Sequence, residues 1–357
     1  MTGGTFAISL DVALHWKMHH RATLNAAHKK CIEETYNVIP ALLNTFRDNA
    51  LHVTWNTVGF IFCRNTAELR YYFPKVLPQY HDRRLNPYLY LPNTERNPSL
   101  ARYYYAPQLI EQIQHCPHQE IASLSLSHYD TAIKGANLDS FLADLVAAKR
   151  IAQRFNIDLK SYAFPNQRYP IQYIEQLATL GIQCFRGHTS CTPNTTTLKQ
   201  SLLSPLKRGL HFLDSAYNIA GHHTCQPIMM RDGEYPIMNI PASRFFEPYC
   251  TSLTLNRSRI QRIMQSMTYA AQHNRIFHLW WHPEDFSTNL SENIDRLAMI
   301  IEHYHTLKVQ YGMVNHTMQE IAQAYPIPCV HAVYHRNHLE TLETKNHLQK
   351  SFHRTFQ

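Results

Sequence analysis

The chain has 357 residues, 44% of them hydrophobic and including 21 Tyr and 16 Phe. This composition excludes a disordered chain and supplies a core for one large domain or two average ones. A formal charge of +8, raised further by 24 His below about pH 6.5, invites an anionic partner, but Lys and Arg are scattered without a long block, so the reading is a mildly basic surface and not a nucleic-acid binder.

Thr5–Leu10 is β-rich and stops at Asp11. Thr23–Arg47 reads as an amphipathic helical region that Pro40 kinks or divides. Leu51–Trp55 is a second strand, and Ala67–Phe73 a short helix. Pro74–Pro98 is Tyr- and Pro-rich and weakly periodic, as in a long loop or insertion. Pro107–His115 is helical, Glu120–Ser123 extended, and Leu138–Phe155 a strong helix. Asp158–Phe164 is a strand, Ile171–Leu180 a helix closed by Gly181, and Ile182–Phe185 a strand ending at Arg186. Thr189–Asn218 carries loop and helix, and Ile237–Ile240 is extended. After a helix over Leu255–Gln272 comes the strand Arg275–Trp281, then helices over Leu290–Tyr311 and Thr317–Ala324. Residues 328–357 turn polar and basic and read as a solvated tail after a barrel spanning 1–327.

Strands alternate with helices throughout, which predicts an α/β fold with parallel strands. Several strands end in polar or ionisable residues: Asp11, His128, Arg186 and His282. In a barrel those ends converge on one face, where chemistry is placed. The sharpest case is Phe277–Phe286, FHLWWHPEDF, an apolar run that stops at His282-Pro283. Alternation puts His278, Trp280 and His282 on one face and Leu279 and Trp281 on the other, with Trp281 assigned to the core. The eight Cys are scattered with no CxxC pair and read as free thiols. No apolar run reaches a membrane span and no basic leader precedes the first strand, so the expected location is the cytoplasm.

Taken in order, FAISLDVALHW (6–16), VTWNTVGFIF (53–62), EIASLSLSHYD (120–130), SYAFPNQ (161–167), GIQCFRG (181–187), LDSAYNIAGH (213–222), IPASRFFEP (240–248) and FHLWWHPEDF (277–286) resemble the polysaccharide deacetylase (NodB-homology, carbohydrate esterase family 4) superfamily. The nearest branch is the intracellular one found with bacterial surface-glycan loci. The resemblance covers about Thr5 to Ala324. It implies a distorted (β/α) barrel of about seven parallel strands and metal-assisted removal of acetyl groups from N-acetylated sugars. An amide is a poor electrophile and water a poor nucleophile, so such chemistry asks for a Lewis acid, a base, and an acid to protonate the leaving amine.

Carried over residue by residue, the resemblance assigns Asp11 as base and His282 as acid, with Arg186 orienting Asp11 or the substrate. The second carboxylate falls on Ala13, and the HxxxH pair on Leu124 and His128. Only His128 of those three is a metal-ligand type, so the zinc-like divalent metal implied by the family is left with an incomplete site. Arg168 stands two positions from the branch's arginine. Substitute donors nearby are His15, His19, His20, His118, His222, His223, Glu284 and Asp285. Trp16, Trp55 and Trp280 are candidates to line a carbohydrate-binding cleft. Two functions stay open: hydrolysis of a non-peptide C–N bond by N-deacetylation of a glycan, and a catalytically inactive relative that binds a glycan or a partner enzyme.

Overall fold

The computed structural model describes residues 3–19, 24–167, 169–187, 221–230 and 236–325. Contacts divide the chain into 1–324 and 325–357; of the second unit only Tyr325 is described. The tail, the 189–218 segment, His20 and Arg168 therefore lie outside the described residues.

Ten strands form one curled sheet: β1 Thr5–Val12, β2 Val53–Thr57, β3 Gln119–Ser123, β4 Ser161–Ala163, β5 Cys184–Arg186, β6 Ile228–Met230, β7 Ile237–Asn239, β8 Arg244–Phe245, β9 Ile276–Trp281 and β10 Val314–Asn315. The order is β6-β7-β5-β4-β3-β2-β1-β9-β8, with β10 beside β1. Every pair is parallel except β6 with β7.

One short segment closes the curl. In its first half β7 pairs with β5, and the Ile240 and Ala242 N–H groups donate to the carbonyls of Phe185 and Gly187. In its second half the Ser243 and Phe246 N–H groups donate to the carbonyls of His278 and Trp280. Residues 237–246 thus act as a single bent strand that joins the two flanks of the sheet. Counting β7 and β8 as that one strand, and setting aside antiparallel β6 and the two-residue β10 beside β1, leaves seven parallel staves, the distorted (β/α) barrel expected. Helices Ala26–Asp48, Pro107–His115, Leu138–Gln153, Ile171–Thr179, Leu253–Gln272 and Leu290–Tyr311 are the main helices between the strands. The Ala26–Asp48 helix runs unbroken through Pro40, a correction to the expected division.

Parity on the strands settles which side chains face inward. Along β1, Phe6, Ile8 and Leu10 point to the helices, and Ser9 and Asp11 point to the axis, where they meet side chains of β2, β5 and β9. Trp55 pairs in register with Leu10 and so belongs to the outer set. Its ring packs on Phe46 of the first helix, as does that of Trp281. Gly59 lets the turns after β2 and β3 touch. A Cβ there would lie 2.8 Å from Leu126 Cδ1, and the Gly59 and Phe60 N–H groups donate to the Ser125 and Leu126 carbonyls at 2.9 Å.

Candidate functional site

The loops that leave the strand C-terminal ends carry non-glycine residues in the left-handed region: Leu14 after β1, Ser125 and His128 after β3, and Asn166 after β4. Such conformations cost of order 1–3 kcal/mol each and cluster where a site over-determines the backbone. This is the face of the barrel on which the sequence placed Asp11, His128, Arg186 and His282.

At its centre is a buried chain of polar groups. Arg186 Nη2 donates to Asp11 Oδ2 at 2.6 Å, and Arg186 Nη1 donates to Ser9 Oγ at 2.9 Å. Ser9 Oγ lies 2.8 Å from His278 Nε2. Asn56 Nδ2 donates to the other Asp11 oxygen at 2.9 Å. The Arg186 guanidinium stacks 4.5 Å from the Trp280 ring centre, while its own residue is 1% exposed. The His282 ring sits beside Trp280 and Phe245, with Nδ1 3.4 Å from the Asp11 carbonyl oxygen. Asp11, Arg186 and His282 are therefore brought together. Sequence reasoning missed Ser9, Asn56 and Phe245, although Ser9 is two residues from Asp11 and so shares its face.

The electrostatics follow from this packing. Burial works to raise the Asp11 carboxyl, but the charge and hydrogen bond of Arg186, the charge of His282 and the Asn56 amide outweigh it, and the group is held below the usual carboxylate range. Burial, with Arg186 adding to it, pushes His278 down to about 3. His128 is also pushed down to about 3, by burial first and then by the nearby His19. Both imidazoles are neutral at pH 7.

The loop bearing His128 is pinned by a buried carboxylate. Asp144 Oδ1 accepts from the Leu126 N–H at 2.7 Å, and Oδ2 accepts from Tyr88 Oη at 2.8 Å and from the Ser127 hydroxyl. Tyr88 comes from the 74–98 insertion, so the segment read as a long loop is fastened to the wall of the mouth. Asp130 at the end of the same loop accepts from Asn166 Nδ2 at 2.9 Å, tying the β3 and β4 loops together.

Other candidates fall elsewhere. Trp16 is fully buried, packs on Phe60 and Tyr104, and donates Nε1–H to the Tyr104 carbonyl at 2.7 Å. Trp55 is fully buried in the helix-facing layer and bonds Gln119. Both are core, which corrects their placement in a cleft: Trp55 lies on the outer face of β2, which is as apolar as a cleft wall, and Trp16 lies in the short helical turn Leu14–Met18 after β1. Trp280 alone of the three faces the axis, half-buried. His15 packs on His28 and Tyr104, His19 spans the carbonyls of Trp16 and Leu85, and His118 stacks on His52 before β3, at the opposite barrel end. His222 stacks on Tyr269 of an outer helix. Glu284 Oε1 accepts from the Leu14 N–H at 3.1 Å, and Asp285 accepts from the His282 N–H.

The donor set does not fit a divalent metal held as the resemblance implies. Ala13 and Leu124 are 2% and 1% exposed within apolar packing, and both Asp11 oxygens are already bonded. Among the described residues no three His, Cys, Asp or Glu side chains converge as metal ligands.

Comparison with solved structures places the architecture. A protein of Mycobacterium smegmatis described as a polysaccharide deacetylase aligns over 90% of both chains with a TM-score of 0.57 at 13% identity. Its fold is this fold. A Pseudomonas aeruginosa protein described in the same terms aligns over 90% of both chains with a TM-score of 0.54 at 10% identity. An allantoinase aligns over 90% of this chain and 89% of its own with a TM-score of 0.52 at 9% identity. No family model and no curated protein matches the sequence. At these identities the likeness is one of fold, and folds of this kind host several chemistries.

Proposed function

We propose that the chain is a polysaccharide deacetylase-like protein of carbohydrate metabolism that holds an N-acylated sugar at the barrel mouth without carrying out metal-assisted deacetylation. One observation carries the reading: apolar Ala13 and Leu124 are buried where ligands belong, while Arg186 and Asn56 occupy both oxygens of Asp11. A base is most effective with a pKa near the working pH, and Asp11 is displaced the other way. Its carboxylate is a fixed charge, suited to orienting a ligand amide or hydroxyl. Trp280, backed by Arg186 and flanked by Phe245, offers an aromatic surface for the apolar face of a sugar ring.

A second reading, hydrolysis of a C–N bond without a bound metal, is favoured by the adjacency of Asp11 and His282. In it Asp11 takes a proton from water and His282 donates one to the leaving amine.

The two are separated by incubating the purified chain with N-acetylated oligosaccharides, with and without added zinc, while measuring both binding and acetate release. Binding that weakens about tenfold in Trp280→Ala, with no acetate released, is the expected result. Acetate release abolished by Asp11→Ala would reject the binding-only reading in favour of the hydrolase. Absence of any binding would reject both.

A further inference from the structure

Beneath the mouth lies a second polar layer, sealed from solvent. Ser9, two residues before Asp11 on the same face of β1, and His278 on β9 are each 0% exposed. Arg186 joins the two layers. Its terminal nitrogens part between them: Nη2 donates to Asp11 Oδ2 at 2.6 Å above, and Nη1 donates to Ser9 Oγ at 2.9 Å below. The guanidinium face lies 4.5 Å from the Trp280 ring centre. A guanidinium is planar, so holding both nitrogens holds the plane, and with it the backing of Trp280 and the attitude of the Asp11 carboxylate.

A serine free to rotate would not hold an arginine. The hydroxyl of Ser9 has two neighbours of different kinds. Arg186 can only donate to it, while His278 Nε2, 2.8 Å away, is a ring nitrogen that donates or accepts according to its tautomer. Burial first, and then the charge of Arg186, pushes His278 down to about 3, so no second cation competes with Arg186 for the serine. His278 is itself clamped to the segment that closes the barrel. Its N–H donates to Ser243 Oγ and its carbonyl accepts from the Ser243 N–H, both at 2.9 Å.

We propose that Ser9 and His278 are positioning residues for the barrel mouth, acting through Arg186: they hold the guanidinium in the one orientation that aims Nη2 at Asp11 and its face at Trp280. The distance between a carboxylate acceptor and an aromatic platform is thereby fixed. The mouth then selects a sugar by where its N–H or O–H stands relative to its apolar ring face. That consequence rests on the function proposed above, whereas the orientation of Arg186 is read without any ligand.

The test uses the whole chain labelled with ¹³C and ¹⁵N. In the wild type the two Arg186 Nη1 hydrogens are expected as separate resonances, because a nitrogen held by its partner rotates slowly. A single averaged resonance would overturn the proposal. Ser9→Ala and His278→Leu are each expected to average the pair and to let Asp11 titrate nearer the ordinary carboxylate value of about 4. Both are expected to weaken binding of tetra-N-acetylchitotetraose about threefold to tenfold. His278→Gln, whose side-chain amide reaches the place of Nε2, is expected to bring all three readouts back toward the wild type. Unmoved Arg186 and Asp11 resonances in folded Ser9→Ala or folded His278→Leu, or an effect as large in His278→Gln as in His278→Leu, would equally overturn it. Should the wild type not bind the oligosaccharide, the function proposed for the mouth fails, and the Arg186 and Asp11 resonances still decide this proposal. Should the variants not fold, the wild-type Arg186 resonances decide alone.

Discussion

A single ion pair sets the character of the mouth. Asp11 and Arg186 meet at 2.6 Å with side chains 8% and 1% exposed, so neither charge is screened by water. A buried pair of this kind holds geometry more than it adds stability, and it is breaking one that is costly. The same burial gives the site a pH signature. Asp11 is lowered in the folded chain, so the stability it contributes is present above its unfolded pKa and lost as pH falls through the folded one. His128 and His278, both near 3 when folded, act in the same direction from a higher starting point. Their unfolded forms take up protons as pH falls below about 6.5, whereas the folded forms do not until near 3. Glu120, Asp144 and Glu284, raised first of all by burial, work the opposite way: they take up protons in the folded chain above the usual carboxylate range, so stability rises as pH falls from their folded to their unfolded pKa. Stability to urea should therefore fall as pH drops below 6.5 through His128 and His278, with the raised carboxyls opposing that fall at lower pH. Carbon-detected NMR should show the His278 ring still neutral at pH 5. A ring that titrates near 6.5 would show that it is not sealed by Ser9 and Arg186.

At the level of elements, the mouth depends on loops being fixed to rigid supports. Asp144 lies on the Leu138–Gln153 helix, yet it satisfies groups from the β3 loop and from the insertion at once. Removing it leaves the Leu126 N–H and the Ser127 and Tyr88 hydroxyls unpaired in a buried place. Asp144→Ala is expected to cost about 3–5 kcal/mol, and Asp144→Asn about 1–2 kcal/mol, since the amide keeps one acceptor. Urea denaturation gives the totals. Hydrogen exchange should show faster opening at residues 124–128 and 86–90 and little change in β1. Uniformly faster exchange would mean that Asp144 supports the whole fold and not this wall. The helix itself was readable from its spacing of Leu138, Leu142, Leu145 and Ile151. That Asp144 points inward was not, because a carboxylate on an amphipathic helix is ordinarily a solvated one.

Across the whole molecule, the barrel is present where the metal site that the resemblance implies is not. The two ligand positions that are apolar here sit just after β1 and just after β3, on either side of β2, with Leu124 in the same loop as His128. If the scaffold is intact and only the donors are missing, Ala13→Asp together with Leu124→His should create a site that binds one zinc per chain, measured by metal analysis after dialysis. A folded double variant that takes up no zinc would show that the backbone, as well as the side chains, differs from the site that the resemblance implies.

The sequence by itself determined the periodicities, and with them the α/β class, the positions of most strands and helices, and the sharing of one face by His278, Trp280 and His282. It also exposed the missing donors at Ala13 and Leu124, because a side chain that cannot bind metal is visible without coordinates. The tertiary structure decided which face of each strand looks inward. Parity along β2 leaves Trp55 and Asn56 as equal candidates until the register with β1 puts Asn56 on Asp11 and Trp55 against Phe46. It likewise decided that 237–246 closes the barrel. Hydrogen bonds between residues tens to hundreds of positions apart depend on how elements pack, and no local pattern of residues encodes that.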